Sequence, residues 1–315
     1  MNIFYDISEV KKDAKTVVTV GTFDGFHLGH QKIINELIFR SVDAASRNFI
    51  VTFEPHPRLV IGIVHDVQIL TTLDEKFKYL QAHSVQNVLV LKFTKEFSQL
   101  NFRDFIVKYL VDGIGMSEIV IGYDHQFGKN REGNAKALNE IGKEYNFKVT
   151  QVSPFSIEET SVSSTKIRRA LQDGNIQLAN SFLGKQYEFS GKVVRGIKRG
   201  TEIGFPTANI GLMNRSKITP KRGVYFVEVV TCGKKYFGMM NIGYRPTFNS
   251  ASEMTLEVHI FYFNEDIYDE EINIKFIDRI REEKKFSSVR ELVEQLSADR
   301  QLCFERVNNY KVESF

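Results

Sequence analysis

At 315 residues, 42% apolar and 26% charged, the chain can build ordinary soluble cores, and its length favours two domains. A formal charge of +3 gives little support to non-specific nucleic-acid binding, which relies on dense Lys/Arg patches. Two cysteines, Cys232 and Cys303, without a CxxC spacing, argue against a disulfide framework or a zinc knuckle and fit a reducing cytoplasm.

The N-terminal stretch MNIFYDISEVKKDAK lacks a signal-type apolar core, and no segment approaches the roughly 18 apolar residues of a membrane helix. The expectation is a cytoplasmic protein, a monomer or weak homo-oligomer, binding small molecules rather than nucleic acid or membrane.

The first half alternates two patterns. KTVVTVG, FIVTF, NVLVLKF, EIVIG and KVTQV are short β-branched runs. Between them, HQKIINELIFRSVDAA puts Ile33, Ile34, Leu37, Ile38 and Val42 on one helical face. TTLDEKFKYLQ opens with Thr72 and Glu75 at capping-box spacing. NFRDFIVKYL groups Phe102, Phe105, Ile106 and Leu110. Strands alternating with helices predict a parallel sheet covered on both faces, with ligands at the C-terminal ends of its strands.

VGTFDGFHLGH, residues 20–30, lies at such an end. Gly21, Gly25 and Gly29 allow a tight turn and close approach to a ligand. A helix starting near Gly29–His30 aims N–H groups and its positive dipole end at the same spot. His27 and His30, three apart, project from that first turn. Such parts suit a phosphate chain, with imidazoles stabilising charge during in-line displacement. A metal reading of Asp24, His27 and His30 stays open, although a fourth ligand is not evident.

FEPHP (53–57, with His56) and GYDHQFG (122–128, with Asp124, His125 and Phe127) follow other strands of the series. SVSSTKIRRAL (161–171) offers Ser163, Ser164 and Thr165 to cap a helix whose first turn carries Lys166, Arg168 and Arg169. Together they form a phosphate grip.

After about residue 185 the pattern changes. QYEFSGKVVRG, GVYFVEVVT, KYFGMMNIG, TLEVHIFYF and INIKFIDRI read as an antiparallel sheet or small barrel. SSVRELVEQLSADRQLCFERV closes the chain as a helix with Ser288 and Glu291 as a capping box. In GKVVRGIKRGTEIGFPTANI (191–210), Gly191, Gly196, Gly200 and Gly204 break a strand into a loop lined by Arg195, Lys198 and Arg199. It ends in Phe205-Pro206-Thr207-Ala208-Asn209, where Thr207 and Asn209, two apart, face one side and suit Mg²⁺ bridged to phosphate. Glu257, inside an apolar strand with His259, is a candidate general base.

HxGH followed by SSTxxR resembles the nucleotidyltransferase superfamily. GFPTAN, NIGYRPTF (241–248), LEVHIF and IREEKKFSS resemble riboflavin kinase. In this order, over roughly residues 15 to 310, the motifs resemble the bacterial bifunctional riboflavin kinase/FMN adenylyltransferases. The resemblance implies an α/β chain: a Rossmann-like nucleotidyltransferase domain over 1–184, then a six-stranded barrel kinase domain with a terminal helix over 185–315.

It also implies that riboflavin is phosphorylated to FMN, and FMN adenylylated to FAD, with ATP and Mg²⁺. Glu257, His27, His30 and Arg168 would be catalytic, and Thr207 and Asn209 would hold the metal. Gly21, Phe23, Asp24, Gly29, Ser163, Ser164, Thr165, Gly196, Gly200, Gly204 and Pro206 would bind nucleotide. His56, Asp124, Phe127, Arg281 and Phe286 would line the flavin. Asp124 stands where relatives carry Asn, within a G-x-[ND]-x-x-F-G pattern. A chain with one silent domain, or a flavin sensor without turnover, is the alternative reading.

Overall fold

The computed structural model describes residues 1–62, 68–126, 128, 132–196, 199–245 and 253–313. Of the sequence-predicted residues, Phe127 and Lys198 lie outside these, as does the PTF of NIGYRPTF. The chain divides into two compact units, Met1–Ser164 and Thr165–Phe315.

The first unit is built on a six-stranded parallel sheet. Its strands are β1 (Asn2–Phe4), β2 (Thr16–Val20), β3 (Arg47–Glu54), β4 (Asn87–Lys92), β5 (Met116–Gly122) and β6 (Lys148–Val152), in the order β1-β4-β3-β2-β5-β6. Five are the apolar runs seen in the sequence. The edge strand β1 is only three residues long and pairs Asn2 with Asn87. β2 has β3 on one side and β5 on the other, so the order reverses there and opens the crevice where such sheets hold ligands.

Helices α1 (Leu28–Asp43), α2 (Pro57–Ile61), α3 (Leu73–Ala82), α4 (Phe102–Phe105, continuing as a π-helical stretch over Ile106–Ile114) and α5 (Ala135–Tyr145) connect the strands. The Thr72–Glu75 capping box on α3 is formed. Phe102, Phe105, Ile106 and Leu110 are buried together, as their spacing predicts. Val42 departs from expectation. Ile34, Leu37 and Ser41 mark the buried stripe of α1, and Val42, one residue and about 100° further round, is 74% exposed.

The unit ends with a small hairpin, β7 (Ser156–Ile157) and β8 (Thr160–Ser161), whose turn residues Glu158 and Glu159 both have positive φ.

The second unit is a closed antiparallel barrel. Helices α6 (Ser164–Asp173) and α7 (Ile176–Leu183) precede β9 (Tyr187–Val194), α8 (Arg199–Glu202), β10 (Ala208–Leu212), β11 (Gly223–Thr231), β12 (Lys234–Arg245), β13 (Glu253–Ile260), β14 (Glu271–Arg281) and α9 (Val289–Glu313). The strand order is β10-β13-β12-β11-β14-β9. Strand alternation fills the lumen with Tyr225, Val227, Met240, Ile242, Val258, Ile274, Phe276 and Phe189, all essentially buried. The outer-facing Val224, Phe226 and Met239 form a second cluster with Val293, Leu296, Cys303 and Phe304 of α9.

Asn180 of α7 accepts from the Tyr187 N–H and donates to the Phe276 carbonyl. Lys221 N–H donates to the Leu171 carbonyl. These three bonds fasten α6 and α7 to the barrel.

Candidate active sites

β2 is wholly buried and stops where Gly21 begins the turn. Phe23, Gly25 and Phe26 take positive φ and fold the turn back. His27 then caps α1, its Nδ1 accepting from the His30 N–H at 3.3 Å. A ring that accepts at Nδ1 carries its proton on Nε2, which leaves Nε2–H as a donor. The His27 and His30 rings stack 3.6 Å apart at 18°, and Phe23 meets His30 edge-on. Burial, aided by His27 and Lys76, holds His30 well below its ordinary pKa, so it is neutral. Its Nδ1 is buried and has no hydrogen-bond partner among the described residues. A Cβ at Gly29 would lie 3.2 Å from the His27 ring, tighter than ordinary contact.

Asp24 is 2% exposed and turns its carboxylate onto the N–H groups of Leu70 and Thr71. Thr71 Oγ1 accepts from the Gly25 N–H. The Asp24 carboxylate thus locks the turn to the segment entering α3. His56 caps α2 through Nδ1, and its Nε2 lies 4.0 Å from Asp24, which brings FEPHP beside the HxGH turn. Ser164 Oγ donates to the Asp24 carbonyl at 2.9 Å, so the SSTKIRR segment begins against the same turn.

Within the second unit, Arg168 is buried on α6, while Thr165 and Lys166 are exposed and Arg169 reaches toward Asp173 in solvent. Asp124 is exposed just past β5. Burial pushes the neighbouring His125 down to about 4. Among the described residues no group of three His, Cys, Asp or Glu is arranged to hold a metal.

Sequence reasoning passed over Lys76. It lies on α3 between Leu73, Phe77 and Leu80, at the spacing of the buried stripe, and is 4% exposed. A lysine on an apolar stripe was the signal available.

On the barrel, strand register lines up Asn209, Glu257, Asn241, Val224 and Arg281 on neighbouring strands β10, β13, β12, β11 and β14. Directly paired residues share a face, so Glu257 stands between two carboxamides on the outer wall. Asn241 is the second residue the sequence reading missed, since only pairing reveals it. β10 itself begins in the AN of GFPTAN.

Two glycines of the loop approach the same row. A Cβ at Gly196 would sit 2.1 Å from Asn209 Nδ2, and one at Gly200 would sit 2.2 Å from the Phe205 carbonyl oxygen and 3.3 Å from Thr207 Oγ1. Gly204 has φ +81°. Thr207 and Asn209 thus each lie against a loop glycine and bring oxygens of the kind that can hold Mg²⁺ alongside phosphate and water. Pro206 presents its carbonyl to His259 Nδ1 at 2.7 Å. Burial lowers the His259 pKa, and the Pro206 bond opposes it.

Arg281 is held against α9. Its Nε donates to both Asp299 carboxylate oxygens at 2.9 Å, its Nη2 lies 2.8 Å from Oδ2, and its Nη1 donates to the Glu282 carbonyl. Asp299 is fully buried on α9, so Arg281 clamps the closing helix to the barrel. Phe286 lies beneath Arg281 and Lys284.

The FAD synthetase family profile matches residues 9–166, and the riboflavin kinase profile matches 183–306. Most of α6 and α7 falls between the two. A bifunctional riboflavin kinase/FMN adenylyltransferase of Buchnera aphidicola subsp. Schizaphis graminum is 38% identical over 304 residues, 95% of this chain and 96% of the relative. One from Bacillus subtilis is 37% identical over 306 residues, 96% of this chain and 95% of the relative. A crystal structure described as a macrolide-efflux protein from Streptococcus pneumoniae shares the fold, with a TM-score of 0.87 and 32% identity over 96% of this chain and 97% of that chain. No described helix of this chain is long and apolar enough to cross a membrane.

Proposed function

Because the chain belongs to the family of bifunctional riboflavin kinase/FMN adenylyltransferases, we propose that its two sites divide the family's two reactions between HxGH and the Glu257 row. The chain phosphorylates riboflavin to FMN with ATP, then adenylylates FMN to FAD with release of pyrophosphate. We assign transfer to residues 1–184 and phosphorylation to residues 185–315, in a cytoplasmic protein.

In adenylyl transfer the FMN phosphate attacks the α-phosphorus of ATP, and negative charge grows on the phosphoryl oxygens. His27 is aimed for this task. Its Nδ1 is held by the cap, which places its proton on Nε2, the donor assigned here to a phosphoryl oxygen. Neutral His30 stacks behind it, and the α1 N-terminus adds its dipole. Arg168, Ser163, Ser164 and Thr165 bind the triphosphate, and His56 and Asp124 face the flavin.

In phosphorylation Glu257 takes the proton of the riboflavin 5′-hydroxyl as that oxygen attacks the γ-phosphorus. Asn209 and Asn241 flank the carboxylate and fix its orientation. The glycine loop supplies backbone N–H groups to the phosphates, and Phe286 faces the flavin. Thr207 and Asn209 fit Mg²⁺, which when bound neutralises phosphate charge.

The observation that carries this reading is the pairing of Glu257 with Asn209 beneath Gly196 and Gly200, in a chain that also caps α1 with His27. Purified protein is incubated with riboflavin, ATP and Mg²⁺, and the flavins are separated over time. FMN should appear and give way to FAD. His27→Ala should stop the series at FMN. Glu257→Ala should block FMN formation and leave FMN-to-FAD conversion intact. Failure of either variant to divide the activities in this way rejects the assignment.

A further inference from the structure

Lys76 belongs to neither reaction as assigned above. Its stripe-mates Leu73, Phe77 and Leu80 belong to the core cluster under α3, and an aliphatic residue at 76 would complete that stripe. Instead an ammonium reaches the region where β2 and β3 end. Its Nζ donates to Thr52 Oγ1 of β3 at 3.1 Å. That is one filled donor of three, and among the described residues no carboxylate lies within ion-pair distance of it.

Asp24 and Glu54 favour its charged form, and the cation in turn helps to hold the HxGH imidazole His30 neutral. Asp24 already has the Leu70 and Thr71 N–H groups. A buried ammonium served by one neutral hydroxyl is costly. A fold that keeps it beside a phosphoryl-transfer turn retains a cation that an incoming anion satisfies.

We propose that Lys76 is a phosphoryl-oxygen ligand of the adenylyl-transfer site. The inference rests on the assignment of HxGH to transfer. A phosphoryl oxygen reaches this site from two sources, the ATP chain or the FMN phosphate, and the two give different kinetics.

The test uses the full chain, assaying FMN-to-FAD conversion, riboflavin phosphorylation and thermal melting for Lys76→Met and Lys76→Gln. Methionine matches the stripe and removes the underserved charge. Transfer should fall about a hundredfold, the scale of losing one preorganised donor. The melting of the N-terminal unit should hold or rise, and phosphorylation should be unchanged. A rise in the KM for FMN identifies the flavin phosphate as the ligand, and a rise in the KM for ATP identifies the nucleotide. A fall confined to kcat identifies an oxygen that gains charge only in the transition state.

Unchanged transfer in Lys76→Met overturns the inference. So does a drop in the melting temperature of the N-terminal unit in both variants, because it makes Lys76 a structural residue. His27→Ala runs in parallel. If it leaves transfer intact, the site assignment itself fails. If it abolishes transfer while Lys76→Met does not, only the role of Lys76 fails.

Discussion

Replacing Arg281 by Met separates a clamp from a flavin ligand. In the wild-type protein Asp299 is fully buried and receives both Nε and Nη2 of Arg281, with Gln295 Nε2 adding one bond at 2.9 Å. Without the guanidinium the carboxylate keeps a single amide donor in a dry site. Breaking a buried pair from one side costs about 3–5 kcal/mol. For a unit of this size each kcal/mol moves the melting temperature by about 2–4 °C, so the C-terminal unit should melt about 6–20 °C earlier. The double variant Arg281→Met with Asp299→Leu removes the stranded charge and should recover most of the loss. Calorimetry of the full chain reads the barrel transition, and riboflavin kinetics at a permissive temperature read the site. If Arg281→Met melts within a degree of wild type and instead raises the riboflavin KM, the clamp reasoning is wrong and Arg281 contacts substrate.

Gly200→Ala forces a Cβ to 2.2 Å from the Phe205 carbonyl oxygen, a backbone atom that cannot step aside. Riboflavin phosphorylation should fall at least about tenfold through misplacement of the loop, with FMN adenylylation untouched. Equal loss of both activities would refute it. Asn241→Asp places a second carboxylate directly across from Glu257, and like charge disfavours ionisation. The acid limb of the phosphorylation rate should therefore move up by about one pH unit, and a profile superimposable on wild type would refute the pairing.

Burial keeps His30 well below, and His125 at about 4 against, the ordinary 6.5, so both stay neutral when folded and gain protons on unfolding. Their contribution is whole above about pH 6.5 and is lost as pH falls toward 4, with His125 alone worth about 1–2 kcal/mol by about pH 5. Urea midpoints of His125→Asn and wild type should converge on acidification, and a constant difference would count against it.

The local signals were legible because each belongs to a contiguous stretch. The Thr72–Glu75 box and the glycine turn ahead of α1 need only residues a few positions apart, although His27 proves to be the cap of that helix rather than part of its first turn. What depended on distant partners was not legible. β1 is three residues on an edge, too short for periodicity to register. β10 is the five-residue ANIGL, with a single β-branched residue and a glycine, so no strand pattern registers. Asp24 reads as a ligand in a glycine turn, and its partners lie about fifty residues later, at Leu70 and Thr71. Arg281 sits in a motif-like basic run, and only the fold brings Asp299 to it. The Val42 misreading has a different origin. The spacing that groups it with Ile38 is loose, and the buried stripe runs through Ser41, about 100° away round the helix.

The filled lumen of the barrel has a consequence for how sequence change is tolerated. Tyr225, Val227, Ile274 and Phe276 close the wall from within, while Glu257, Asn209 and Asn241 stand on its outside. Scaffold and chemistry are thus carried by alternate residues of the same strands. A systematic scan along β13 should show odd–even behaviour. Substitutions at Leu256 and Val258 should lower the amount of protein recovered, and those at Glu257 should leave it in full supply and idle.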